Sequence, residues 1–145
     1  MSTVAPELPV VWRPHRGRLV THAFAVVVLV VVLVLAVVLP HPFGIADRVG
    51  FVVVGAAIAA VLYLLGRCRL RADADGLTVV NVIRTTELEW AEVVGVSHAV
   101  GDPWVTLDLD DGDTLPAMGI QAADGERARQ AIGELRALLD QWSTA

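Results

Sequence analysis

Two long runs of apolar residues dominate the first 66 positions of the chain. The first run, Leu19–Leu39, has 21 residues, and none of the 17 from Ala23 onward is polar or charged. As a helix it would be about 31 Å long, enough to cross a hydrocarbon layer of about 30 Å. A lone strand would leave its backbone groups unpaired in lipid. The pattern predicts a transmembrane helix, and the alternative is a core helix of a soluble domain.

The second apolar run, Val49–Gly66, has 18 residues without a charge and predicts a second span. Between the runs, the segment Pro40–Arg48 contains two prolines and a glycine, which end a helix and reverse the chain. Gly55 and Ala59 stand four apart, a spacing that lets two helices approach closely. This face packs either on the first helix or on a second copy in a homodimer, and both readings stay open.

Arginines flank the two runs unequally. Three precede the first run and three follow the second, whereas the connecting segment has only Arg48. Because basic residues near span ends stay in the cytoplasm, both termini are predicted there, with the hairpin in the plasma membrane. A cleaved secretory signal fits less well, since the first run is too long and no A-x-A site follows it. The predicted interfacial anchors are Trp12, Arg13, Arg67, Arg69 and Arg71.

These boundaries divide the chain into three parts. Residues 1–18 are predicted to be a flexible cytoplasmic lead, because they contain three prolines and no helical period. Residues 19–66 form the hairpin, with helices at 19–39 and 49–66. Residues 67–145 form one cytoplasmic domain.

In this third part the apolar residues alternate with polar ones, which is typical of strands. Turn signals at Asp75-Gly76, Gly101-Asp102-Pro103 and Asp111-Gly112 separate short runs. The pattern predicts an antiparallel meander in which Pro116 makes the last strand an edge or a bulge. Six strands are predicted: Cys68–Ala72, Leu77–Ile83, Thr86–Trp90, Val94–Val100, Trp104–Leu109 and Thr114–Met118.

The end of the chain has a helical period. Asp124 is a candidate N-cap, and the apolar positions that follow have spacings of 4, 3, 4 and 3 residues. We expect this stripe to pack against the sheet. It consists of Ala128, Ile132, Leu135, Leu139 and Trp142.

Charge and residue types exclude several functions. Residues 1–66 carry a net charge of +2 and residues 67–145 carry −7, so a nucleic-acid partner is excluded. The lone Cys68 cannot form an internal disulfide. Ser97 and His98 are adjacent on a predicted strand, so they point to opposite faces, and His98 is expected in the core. The aspartates between Asp108 and Asp113 lack the EF-hand spacing. We predict no catalytic site, no metal and no cofactor.

Several short motifs occur in the chain in the same order as in one protein family. The motifs are Trp12-Arg13-Pro14, Asp75-Gly76-Leu77, Trp90-Ala91-Glu92-Val93, Asp111-Gly112 and the run Gln121–Leu139. The chain resembles the small actinobacterial PH-like membrane proteins of the low-molecular-weight protein antigen 6 type. The resemblance implies an α+β PH-like domain after a two-helix transmembrane hairpin: a bent antiparallel sheet of about six to seven strands, closed at one end by the C-terminal helix.

The resemblance also bears on ligands and partners. PH domains in general suggest phosphoinositide binding, which needs basic residues in the first hairpin loop. Here that loop is predicted at Ala72–Gly76, which contains two acids, so no phosphoinositide is expected. The predicted function is a membrane-anchored, non-enzymatic interaction module that meets a membrane or cytoplasmic protein through a sheet edge or groove. The alternative is an accessory subunit of a larger membrane enzyme or transport complex.

Overall fold

The computed structural model describes residues 4–144; residues 1–3 and 145, at the ends of the predicted lead and domain, lie outside it. Two antiparallel helices, α1 (His15–Val38) and α2 (Ile45–Gly66), occupy the apolar runs. Both are long and apolar enough to cross a membrane. Each begins four residues before its predicted boundary, because Pro14 and Gly44 are the extended residues that precede the first turns. Proline is well tolerated at a helix start.

The small residues of α2 face α1 within the same chain. Gly55 and Ala59 are buried, whereas the outward valines and leucines of both helices are exposed. A Cβ placed on Gly55 would lie 2.5 Å from Cγ2 of Val32, so only glycine permits this approach. The hairpin itself therefore covers this face in the structure.

Arg48 closes the turn between the two helices. Its guanidinium donates to the carbonyl oxygens of Ala36 at 2.6 Å and Leu39 at 2.7 Å, which are at the C-terminal end of α1. The last carbonyls of a helix lack partners within the helix, and a cation is favourable there. Nearby, the carboxylate of Asp47 accepts the N–H of Gly44 at 2.8 Å and caps the start of α2.

The predicted flexible lead contains a strand. β1 (Val10–Trp12) pairs antiparallel with β2 (Arg69–Ala72), with Trp12 opposite Leu70. The prediction of a flexible lead is therefore wrong for these residues. The sheet continues through β3 (Gly76–Val80) to β4 (Thr85–Glu89), in the order β1-β2-β3-β4. Since β1 precedes the helical hairpin and β2 follows it, the hairpin is the connection between two neighbouring strands.

A second antiparallel sheet contains β5 (Val93–Ser97), β6 (Trp104–Leu109) and β7 (Thr114–Gln121), in that order. A 3-10 turn, Trp90–Glu92, joins the two sheets. Pro116 lies in β7, an edge strand, as expected of a residue without an N–H. The described chain thus has seven strands in two sheets, a PH-like arrangement with its C-terminal helix.

A bulge in β5 overturns the predicted alternation there. The pairing with β6 shifts between Val93 and Gly95, so Val93 is buried while Val94 is exposed. The strand ends at Ser97, which leaves His98 outside it and Val100 fully exposed. The predicted strand Val94–Val100 is therefore too long, and the bulge moves the side chains that follow it to the other face of the strand.

Helix α3 (Glu126–Ser143) closes the domain with the predicted stripe. Leu135 and Leu138 are almost fully buried, in the same cluster as Leu70, Leu77 and Leu107 of the two sheets. Trp142 lies at the end of the stripe and stacks on Trp90, with ring centroids 5.5 Å apart. The helix therefore packs over the sheets as its period predicts.

Candidate functional site

The junction between the hairpin and the domain is short and tightly bonded. Only two residues separate β1 from α1, and only two separate α2 from β2. The carboxylate of Asp124 accepts the backbone N–H groups of His15 at 2.8 Å and Arg16 at 2.9 Å. These donors open α1 and have no partner inside the helix. Asp124 thus caps the first helix from a position 108 and 109 residues further along the chain.

This contact corrects the predicted role of Asp124 as the N-cap of the last helix. Asp124 ends a 3-10 turn, Ala122–Asp124, and Gly125 precedes α3 with φ of 58°, in the left-handed region. No side chain caps α3. The pattern of an acid before a helix was present in the sequence, but it could not show which of two helices the acid serves.

Trp12 makes a second contact between the N-terminal segment and the domain. Its indole N–H donates to the carboxylate of Glu134 on α3 at 2.8 Å, and its side chain is only 8% exposed. It belongs to the domain core instead of the interface where it was predicted. The side chain of Trp12 therefore connects β1, the edge strand of the first sheet, to the C-terminal helix.

Four of the arginines around the hairpin line one cavity. This cavity of about 140 Å³ lies where α1 begins and α2 ends, and its wall includes His22 and Tyr63. In the part of the chain that the structure describes, ion pairs form only between Arg71 and Asp73 and between Arg129 and Glu126. Within residues 4–144, the guanidinium groups of the cavity have no carboxylate partner. They belong to Arg13, Arg18, Arg67 and Arg69.

Of the predicted anchors, the structure thus brings Arg13, Arg67 and Arg69 together. Arg71 lies two residues further along β2 and pairs with Asp73 at 3.4 Å. Arg18, which was not among the predicted anchors, joins the cluster because the first turn of α1 stands beside the end of α2. The arginine pattern in the sequence could have indicated it.

Acidic residues collect at the opposite end of the first sheet. A cavity of about 450 Å³ lies along β3 and β4, and five carboxylate side chains line it. β4 is the last strand of this sheet, so its outer edge has no strand partner among the described residues. The five acids are Asp73, Asp75, Glu87, Glu89 and Glu92.

The arginine cluster and the acidic cavity therefore lie at opposite ends of the first sheet. The end that receives the hairpin carries unpaired arginines, and the far end carries the acidic turns and the acidic cavity. The loop Ala72–Gly76, predicted to be the first hairpin loop, lies at the far end and is the second connection of the sheet. The first connection is the helical hairpin, because β1 precedes β2. Only the strand register shows this division.

The described residues contain no grouping typical of an active site. The Oγ of Ser97 donates to Asp108 at 3.2 Å, and the buried Nε2 of His98 has no hydrogen-bond partner, so serine and histidine do not form a pair. Desolvation by burial raises the pKa of the Cys68 thiol, which makes a reactive thiolate less available. No group of three or more potential metal ligands occurs in the part of the chain that the structure describes.

Comparisons with known proteins agree with this architecture. The family described as Bacterial PH domain matches residues 67–138. Uncharacterized protein Rv1417 of Mycobacterium tuberculosis is 36% identical over 143 residues, which cover 94% of this chain and 93% of that protein. Uncharacterized protein Mb1452 of Mycobacterium bovis matches with the same identity and coverage. No solved structure matches the chain.

Proposed function

The chain belongs to the bacterial PH-domain family, and we propose that it is a membrane-anchored, non-enzymatic interaction module at the cytoplasmic face of the plasma membrane. The narrower likeness to the low-molecular-weight protein antigen 6 type belongs to this proposal. The hairpin crosses the bilayer, and the domain meets its partner outside the lipid.

The exposed surface of the hairpin supports the anchoring. Helices α1 and α2 bury almost nothing except their mutual contact, and their outer faces consist of valine and leucine side chains. In water this surface would be unfavourable, whereas lipid accepts it at no cost. The unpaired arginines at the domain end favour a cytoplasmic position for both termini. Arg48, at the other end of the hairpin, donates its hydrogen bonds to the carbonyl oxygens at the C-terminal end of α1.

The unpaired edge of β4 is the observation that carries the interaction role. An extended peptide can add a strand to such an edge through main-chain hydrogen bonds. Glu87 and Glu89 are exposed on β4 and flank the acidic cavity. Charges on an edge strand prevent pairing with another copy of the same edge. The partner is therefore a protein with a basic extended segment, and neither a nucleic acid nor a phosphoinositide.

A homodimer remains compatible with this role, through a surface other than the small-residue face. Gly55 already contacts Val32 of its own chain. A dimer would have to use the outer faces of the helices or the domain.

Cysteine labelling tests the anchoring. A cysteine in place of Ile45, which is 82% exposed at the start of α2, should react with an impermeant maleimide on intact cells. Cys68, at the domain end of α2, should not react. Labelling from outside of a cysteine introduced at Thr144 would overturn the orientation.

Reversal of the edge charge tests the interaction. The full chain, purified from its membranes in mild detergent, should run with a protein partner in native mass spectrometry. The double variant Glu87→Lys and Glu89→Lys should lose that partner, whereas Glu126→Lys, on the exposed start of α3, should keep it. A stoichiometric large complex that survives the double variant would contradict the β4 contact and favour the accessory-subunit alternative.

A further inference from the structure

The turn between β3 and β4 has an exposed apolar tip. It spans Asn81–Arg84, and the backbone N–H of Asn81 donates to the carbonyl oxygen of Arg84 at 2.9 Å. Ile83 is 89% exposed. Turns favour glycine, asparagine, aspartate and serine at such positions, as in the β2–β3 and β6–β7 hairpins, which contain Asp-Gly. A valine and an isoleucine here need a reason that the turn geometry does not give.

The turn is held in place by the second sheet. The side-chain amide of Asn81 donates to the carbonyl oxygen of Pro116 at 2.6 Å, and its oxygen accepts the N–H of Met118 at 3.0 Å. Both partners belong to β7. Ile83 is therefore presented by a fixed turn instead of a free loop.

The strand register places this turn at the end of the sheet that receives the hairpin. Val80 pairs with Arg69, and Gly66, the last residue of α2, is three residues before Arg69. Ile83 belongs to the turn that begins at Asn81, directly after Val80. Because β3 runs antiparallel to β2, this turn lies at the end of the sheet where the chain enters β2 from α2. The acidic loop Ala72–Gly76 lies at the other end of β2 and β3.

We propose that this turn enters the headgroup layer beside the hairpin, with Ile83 among the lipid chains and Arg84 at the phosphates. The inference rests on the proposed membrane anchoring. Connections of two residues keep the domain close to the bilayer. The unpaired arginines of the same end match the anionic cytoplasmic leaflet, while the acidic cavity along β3 and β4 lies at the other end of the sheet. The turn therefore contacts lipid, and this contact fixes the orientation of the domain relative to the membrane.

Lipid quenching of a fluorophore tests the contact in the full chain. Single cysteines replace Ile83, Leu19 or Val94 in a Cys68→Ala background, and each carries the same environment-sensitive label. The chain is placed in nanodiscs of phosphatidylcholine and phosphatidylglycerol, with and without lipids that bear a nitroxide near the headgroup. Leu19, exposed at the start of α1, is the positive control. Val94 is the matched control, because it is an exposed valine at the acidic end.

The label at position 83 should lose fluorescence in nitroxide lipid to an extent comparable with position 19, while position 94 should keep its signal. Quenching at position 19 but not at position 83 would overturn this inference and leave the anchoring intact. Protection of position 83 from aqueous iodide without lipid quenching would also overturn it, since a protein would then cover the turn. Absence of quenching at position 19 would instead refute the membrane anchoring.

Discussion

Replacement of Trp12 should destabilise the whole domain, although this residue lies before the helical hairpin. Its side chain is 8% exposed and packs in the core, so Trp12→Ala should cost about 3–5 kcal/mol. In a domain of this size each kcal/mol lowers the melting temperature by about 4–8 °C, so a loss of about 12 °C or more is expected. Trp12→Phe keeps an aromatic ring but removes the donor to Glu134, and should cost about 1 kcal/mol.

The single cysteine supplies the assay. Cys68 is 2% exposed beside the start of β2, so a thiol-reactive dye should report unfolding of this region in the full chain in detergent. Val11→Ala is the matched control on the same strand, because Val11 is 41% exposed and surface changes usually stay within about 0.5 kcal/mol. A Trp12→Ala chain that melts like wild type would refute the reasoning, since β1 would then contribute nothing to the domain.

Three further changes test other contacts. Leu135→Ala removes a fully buried side chain of α3 and should cost about 2–5 kcal/mol in the same dye assay; an unchanged melt would mean that the stripe does not pack on the sheets. Gly55→Val should disrupt the hairpin and lower its thermal stability in detergent, whereas Gly50→Val, with open space around its Cβ, should behave like wild type. Because burial raises the pKa of Cys68, the protonated thiol is favoured in the folded chain, and the stability it contributes should fall as the pH rises above about 8.5. A Cys68→Ala chain should lose this part of the pH dependence; an identical pH profile would contradict it.

Local patterns were sufficient for most elements of the fold. The two apolar runs, the strands with alternating residues and the stripe of α3 each depend on neighbours within a few positions. The seventh strand was missed because β1 has only three residues and lies among prolines. In addition, 56 residues separate the end of β1 from the start of its partner β2. Such a pairing leaves no period in the sequence. The bulge at Val93 was missed for a similar reason, since one extra residue changes the face of Val94 without altering the composition.

The candidate site was predictable only in part. The arginines that flank the two apolar runs were visible in the sequence, and three of the predicted anchors line the same cavity. The cap from Asp124 to α1 and the apolar turn at Ile83 depend on contacts between distant segments, so no local signal could place them. The separation of arginines from acids was also hidden in the sequence. Successive antiparallel strands run between the two ends of the sheet, so residues from opposite ends alternate along the chain.

The position of the hairpin between β1 and β2 has a consequence for biosynthesis. A ribosome releases β1 first, then both helices, and only afterwards the strand that pairs with β1. In a bilayer, this pairing requires that both ends of the hairpin reach the same side. A chain with one helix inserted, or with its ends on opposite sides, would leave Trp12 separated from its core and the sheet without its first strand. If the hairpin spans the membrane as proposed, correct insertion becomes a condition for the complete domain to fold, and a wrongly inserted chain would expose an incomplete sheet to cellular proteases.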